Sequence, residues 1–223
     1  EFIVKRYDRE AFEIADKLSS WRIPEGGTAE QFFRKQLQVT GLEYFDRYLI
    51  HSLEERLYPD IVEKRYFDFV FEQKARGLIR EAGFSFHGKP ELLDKVLTEY
   101  PEVDIVQLQI NYIDWDNPAV RSRECYETAR KHGKKILIME PVKGGMLSSL
   151  SEEALKILDA PERSAASWAI RYVASLPGVV TVLSGMSDMT QLNDNMETIK
   201  NFEPLNENEL KRIAKVCDLL NSI

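Results

Sequence analysis

The chain has 223 residues, of which 43% are hydrophobic and 30% charged, with a formal net charge of −7. This is the make-up of one soluble domain that buries a sizeable core; it excludes disordered, collagen-like and disulfide-scaffold classes and disfavours non-specific adhesion to nucleic acid or an anionic membrane. Two separated cysteines, Cys125 and Cys217, and three scattered histidines show no metal-ligand spacing. No apolar run is long enough for a membrane span, and Glu1 to Glu10 is too charged for a signal-peptide core, so a reduced cytoplasm is the expected setting.

Short apolar runs predict six strands, at Ala11 to Lys17, Phe45 to His51, Ala82 to Ser85, Asp104 to Asn111, Lys135 to Glu140 and Val179 to Gly185. Helical periodicity fills the gaps, through Phe33 and Leu37, then Leu92, Leu93, Val96, Leu97 and Tyr100, then Trp168 and Tyr172. Thr28 with Gln31 and Asn206 with Glu209 have capping-box spacing, and Asp188 with Gln191 is a looser version. The last helix, about Glu207 to Leu220, groups Leu210, Ile213, Ala214, Cys217 and Leu220 on one face.

Strands alternating with helices predict a parallel sheet, either doubly wound or closed into a barrel. Each predicted strand ends in or just before a polar or special residue, namely Lys17, His51, Ser85, Asn111, Glu140, and Ser184 with Gly185. Such endings converge at the mouth of an eight-stranded (β/α)8 TIM barrel, and six strands are two too few, so the expected architecture is one partial barrel domain over 1–223 that lacks its first two strand units, or a fold that closes in another way.

Lys17, with Trp21 close behind, is either a solvated strand end or a lysine poised to lower the pKa of a phenol or to form a Schiff base. His51 is either a hydrogen-bonded structural histidine or a catalytic one. His87 is a weaker candidate, and His132 is expected to face solvent. The loop Glu140-Pro-Val-Lys-Gly-Gly offers backbone to a ligand, and the turn from Ser184 to Asp188 offers free N–H groups at a helix start.

Taken in order, Ile-Ala-Asp-Lys17-Leu, Tyr-Leu-Ile-His51-Ser, Gly83-Phe-Ser-Phe-His, Val106-Gln-Leu-Gln-Ile-Asn-Tyr, Met139-Glu-Pro-Val-Lys-Gly-Gly and Leu183-Ser-Gly-Met-Ser with Gln191 and Asn195 resemble the aldo-keto reductase family. The resemblance runs from that family's third barrel strand to its end and is nearest a microbial branch that often carries a C-terminal iron–sulfur tail, absent here. It implies reduction of an aldehyde or ketone with NADP(H), or NAD(H), as hydride donor. Lys17 and His51 match the catalytic lysine and histidine, while the catalytic tyrosine and aspartate are expected N-terminal to this chain. Ser85 and Gln107, with Asn111 close by, match residues that hold the nicotinamide carboxamide, and Met139 stands where a ring usually stacks on it. Glu140, Pro141, Val142 and Gly144 match the pyrophosphate loop. Gly185, Ser187, Gln191 and Asn195 match the adenosine and 2′-phosphate region, without the usual cation. Trp21 and Tyr112 are the expected substrate contacts, and a small-molecule carbonyl is the expected partner. Two alternatives stand beside this reading: a non-catalytic or degenerate cofactor-binding homologue, and a Schiff-base lyase or aldolase using Lys17 or Lys143.

Overall fold

The computed structural model describes residue 4 and residues 6–222; part of the charged N-terminal stretch and Ile223 thus lie outside the described residues. The chain divides into two compact units, one of residues 1–107 with 131–134 and one of residues 108–130 with 135–223.

The first unit holds β1 (Ala15–Leu18), α1 (Ala29–Thr40), β2 (Phe45–Leu53), α2 (Tyr58–Glu63), α3 (Tyr66–Ala75), β3 (Ile79–Phe86) and α4 (Pro90–Glu99), and the first residues of β4 (Ile105–Gln109). β1 pairs in parallel with β2, and β2 with β3. Helix α1 starts on the expected capping box, since Thr28 Oγ1 accepts the Gln31 N–H and Gln31 Oε1 accepts the Thr28 N–H. It ends at Gly41, whose left-handed φ of 71° suits a residue without a Cβ. Its buried face is carried by Phe33, edge-on to Tyr48 and Phe45 at 4.9 and 5.8 Å, so α1 covers the outer face of β2.

At Gly83 the backbone packing leaves no room for a side chain: an added Cβ would lie 2.0 Å from the Ile105 carbonyl oxygen. β1 is shorter than the predicted Ala11 to Lys17, because Arg9–Ala11 forms a 3-10 turn. That turn is tied to β2 through Asp46, whose carboxylate takes Arg9 at 2.6 Å and the Ile14 N–H at 2.8 Å. His132, expected in solvent, is instead partly covered and lies with Nε2 2.8 Å from Asp94 on α4.

The second unit takes the end of β4, α5 (Ser122–Lys131) as far as Arg130, β5 (Lys135–Met139), α6 (Glu152–Leu158), α7 (Ala165–Ala174), β6 (Val179–Val182), α8 (Met189–Lys200) and α9 (Glu207–Asn221). β5 and β6 are parallel. Trp168 and Ala169 of α7 pack with Ile213 and Val216 of α9, and Arg171, 2% exposed, grips the Glu209 carboxylate at 2.7 and 3.1 Å. The capping box of Asn206 and Glu209 is formed, while Asp188 caps α8 and the Gln191 side chain bonds to the Ser187 N–H instead of closing a box. The buried stripe of α9 runs through Ile213 and Val216, not Leu210, which is 43% exposed. The helix therefore turns a slightly different face inward from the one its periodicity suggests.

Candidate active site

In the first unit the strand register places the chemistry. Lys17 is opposite Leu49, and Leu49 is opposite Gly83. Side chains alternate across a strand, so His51 and Ser85, each two residues on, share the face of Lys17. Asp16, Leu18 and Tyr48 lie on the other face, where Gln36 of α1 accepts the Tyr48 hydroxyl at 2.5 Å and donates to the Lys17 carbonyl at 3.0 Å.

The register shifts between Ile50 and Leu53, with Ser52 in the left-handed region at φ 58°. This bulge turns the Ser52 N–H onto Ser85 Oγ at 2.8 Å. Ser85 is fully buried, and because its oxygen accepts there, its hydroxyl proton is left to donate elsewhere.

His51 Nδ1 lies 2.7 Å from the buried Ser19 hydroxyl, and its ring is 4.7 Å from the ring of Trp21. Burial, with the Lys17 and Arg22 cations and His87 nearby, pushes the imidazole down to about 4, so it is neutral at pH 7. Burial also lowers Lys17, partly offset by Asp16. No hydrogen-bond or ion-pair partner reaches Lys17 Nζ among the described residues. Beside these groups opens a cleft of about 570 Å³, lined by Trp21, Ser52, Glu54, Arg56, Asp60 and His87 among others. Its cations are paired: Arg56 with Glu54 at 3.0 Å and Lys64 with Asp60 at 2.7 Å.

The second unit holds the other group of candidates. Glu140, Pro141, Val142, Gly144, Gly185, Ser187, Gln191 and Asn195 all line one cleft of about 510 Å³. Its size suits a section of a cofactor, and a Cβ at Gly185 would meet nothing within 4 Å, so that wall is open. Glu140, Lys143, Gly144 and Gly145 all have positive φ, which coils the loop tightly.

A buried carboxylate anchors that loop. Asp114, 0% exposed, accepts from Gln109 at 3.1 Å and Asn111 at 2.9 Å and pairs with Lys143; Asn111 also donates to the Glu140 carbonyl at 3.1 Å. Burial alone would raise Asp114, but Lys143, Asn111 and Gln109 hold it below its ordinary value. Asn111, expected near a carboxamide, thus spends its side chain on the loop. The Asp114 anchor escapes sequence reading because Asp114 and Lys143 meet across 29 residues; Ser19 escapes for the same reason, its partner being 32 residues away.

Met139 is half-buried beside the cleft's Glu140, and Gln107 is 3% exposed in the first unit. Tyr112, expected at the substrate, sits instead in the core of the second unit against α9, 5% exposed, with its ring 6.0 Å from Tyr172. Of the two lysines weighed as Schiff-base nucleophiles, Lys143 is paired with the buried Asp114, while no partner reaches Lys17 Nζ among the described residues.

Among solved structures the chain is similar to the holo form of aldo-keto reductase AKR11C1 from Bacillus halodurans, at 23% identity and a TM-score of 0.75 over 93% of this chain and 74% of that one. An aldo/keto reductase from Klebsiella pneumoniae in complex with NADP and acetate matches at 17% identity and a TM-score of 0.70, over 93% and 71% of the two chains. An aldo/keto reductase from Brucella melitensis matches at 18% and 0.71, over 96% and 76%. No curated protein matches the sequence. The chain thus shares the α/β fold of these reductases, and because the aldo/keto reductase family model matches residues 1–218, nearly the whole sequence, it belongs to the aldo/keto reductase family.

Proposed function

We propose that this chain is part of an NAD(P)H-dependent oxidoreductase that reduces an aldehyde or ketone in a reduced cytoplasm, on a (β/α)8 barrel whose first two strand units precede Glu1 in the family pattern. The observation that carries this is the shared face of Lys17, His51 and Ser85, with His51 fixed by Ser19 at 2.7 Å.

Ser19 donates to Nδ1 of a neutral His51, which leaves Nε2–H as the donor to a carbonyl oxygen. A neutral imidazole aims this hydrogen bond without placing a second cation beside Lys17. Lys17, without a partner among the described residues and partly desolvated, favours the phenolate of a neighbouring tyrosine and so brings that group's proton within reach of transfer near neutral pH. In the family pattern that tyrosine, with its aspartate, lies N-terminal to Glu1. Ser85 offers its hydroxyl proton, and Gln107 its amide, to a carboxamide. Trp21, 55% exposed against His51, is the substrate-side wall. The cleft from Glu140 to Asn195 takes the nucleotide part of the cofactor, and the Klebsiella relative forms a complex with NADP. A nicotinamide bound beside this face supplies the hydride.

The test is oxidation of NADPH and NADH with a panel of small carbonyls. Protein that includes the tyrosine is expected to turn over, and Lys17→Ala or His51→Ala to lose roughly 10²- to 10⁴-fold. The 223 residues alone are expected to turn over slowly, since no described tyrosine reaches Lys17 Nζ. Borohydride is expected to trap no adduct; a covalent adduct at Lys17 would favour the lyase.

A further inference from the structure

We infer that Glu140 is a built-in competitor for phosphate in the second unit's cleft: its own carboxylate holds the place of the anion, and a dinucleotide must displace it to bind. This rests on the reading of that cleft as the nucleotide site.

The loop after β5 coils so that its backbone donors turn inward. The Lys143 N–H bonds to the Glu140 carbonyl at 3.0 Å, and the Gly145 N–H to the Val142 carbonyl at 3.0 Å. The Gly144 N–H is the one directed to a side chain, and its acceptor is Glu140 Oε2 at 2.7 Å. Backbone N–H groups in such a coil are what a phosphate oxygen seeks. Here a carboxylate four residues back in the same loop supplies the negative charge.

The electrostatics of the cleft point the same way. Its lining contains two carboxylates, Glu140 and Asp194, and neither lysine nor arginine. The loop's only cation, Lys143, is drawn away to Asp114. An arriving pyrophosphate therefore meets like charge at the very donor it needs, with no cation in the lining to offset it. Removing the charge at residue 140 should tighten phosphate-bearing ligands selectively.

The experiment titrates the full chain, with Glu140→Gln and Glu140→Ala, against ADP, adenosine and inorganic pyrophosphate by calorimetry, after thermal melting shows all three proteins folded. Gln keeps the shape and the acceptor while removing the charge; Ala also frees the Gly144 N–H. Glu140→Gln is expected to tighten ADP about threefold to tenfold, the size of one like-charge contact in water, and to leave adenosine unchanged. At roughly 1 M salt the gain should shrink toward nothing. Equal or weaker ADP binding by Glu140→Gln, with adenosine still bound, overturns the role of Glu140 and leaves the cleft as a nucleotide site. Absence of ADP and adenosine binding by all three proteins overturns that reading of the cleft and the competitor with it.

Discussion

At the scale of single residues, the arrangement around His51 shows which chemistry a sequence displays and which it hides. Lys17 and His51 stand out because each closes an apolar run of the sequence with a polar group, although β1 continues to Leu18 and β2 to Leu53. Ser19 does not, because nothing local distinguishes it from Ser20; only the parallel register of β1 and β2 brings its hydroxyl to His51. A hydrogen bond of this kind is worth about 0.5–1.5 kcal/mol net, so Ser19→Ala is expected to lower kcat/KM of the tyrosine-containing enzyme roughly threefold to tenfold, with Ser19→Thr restoring most of it. A structural role alone would lower the melting temperature and leave the pH profile in place; a positioning role also moves the acid limb of that profile. His51 itself also contributes to the pH dependence of stability. His51 is depressed to about 4 in the folded chain from 6.5, so the unfolded chain binds the extra proton first. The contribution of a neutral His51 to stability is therefore complete above pH 6.5 and is lost as the pH drops toward 4, which acid titration followed by circular dichroism checks. Tyr112 shows how a polar-tipped ring next to a candidate residue can serve the core. Expected at the substrate, it instead packs its ring, 5% exposed, in the cluster that holds Ile213 and Val216 of α9.

At the scale of elements, legibility follows how local the cause is. The ends of α1 and α9 are readable because a capping box needs only residues three apart, and both boxes form. Asn206→Ala is accordingly expected to cost about 1 kcal/mol in urea melts. Helix α3 is harder to see: its run Tyr66 to Phe71 is apolar on nearly every side, so no clean stripe marks it, although Tyr66, Phe67, Val70 and Gln73 are the residues it buries. Strand limits blur where tertiary ties replace pattern, as at β1, where Asp46 captures the segment before the strand. The packing of α1 on β2 rests on Phe33, which is fully buried. Phe33→Ala should cost about 3–5 kcal/mol, measured as a lower urea midpoint at unchanged slope, whereas the exposed Val39 on the same helix should tolerate alanine.

At the scale of the whole molecule, the alternation of strand and helix suffices for the α/β class, and the order of six weak motifs suffices for the family, because order along the chain is itself information. The division into two compact units is not written locally: β4, a single five-residue strand, contributes to both. The chain spans between 71% and 76% of the three relatives described, all of which share its fold. Residues for the two halves of the expected chemistry are correspondingly separated, with Lys17, His51 and Ser85 in the first unit and the loop from Glu140 together with Gly185 to Asn195 in the second. In the proposed function the first-unit face presents a neutral, Nε2-protonated imidazole to a carbonyl beside a nicotinamide. Its most direct test is the side-chain nitrogen spectrum of His51, recorded against pH and then with NADP and acetate, the pair found in the Klebsiella relative. A midpoint near 4, a proton on Nε2, and a shift on adding the pair that neither compound alone produces are the expected results. A midpoint at the ordinary 6.5, with no response to the pair, would contradict the account.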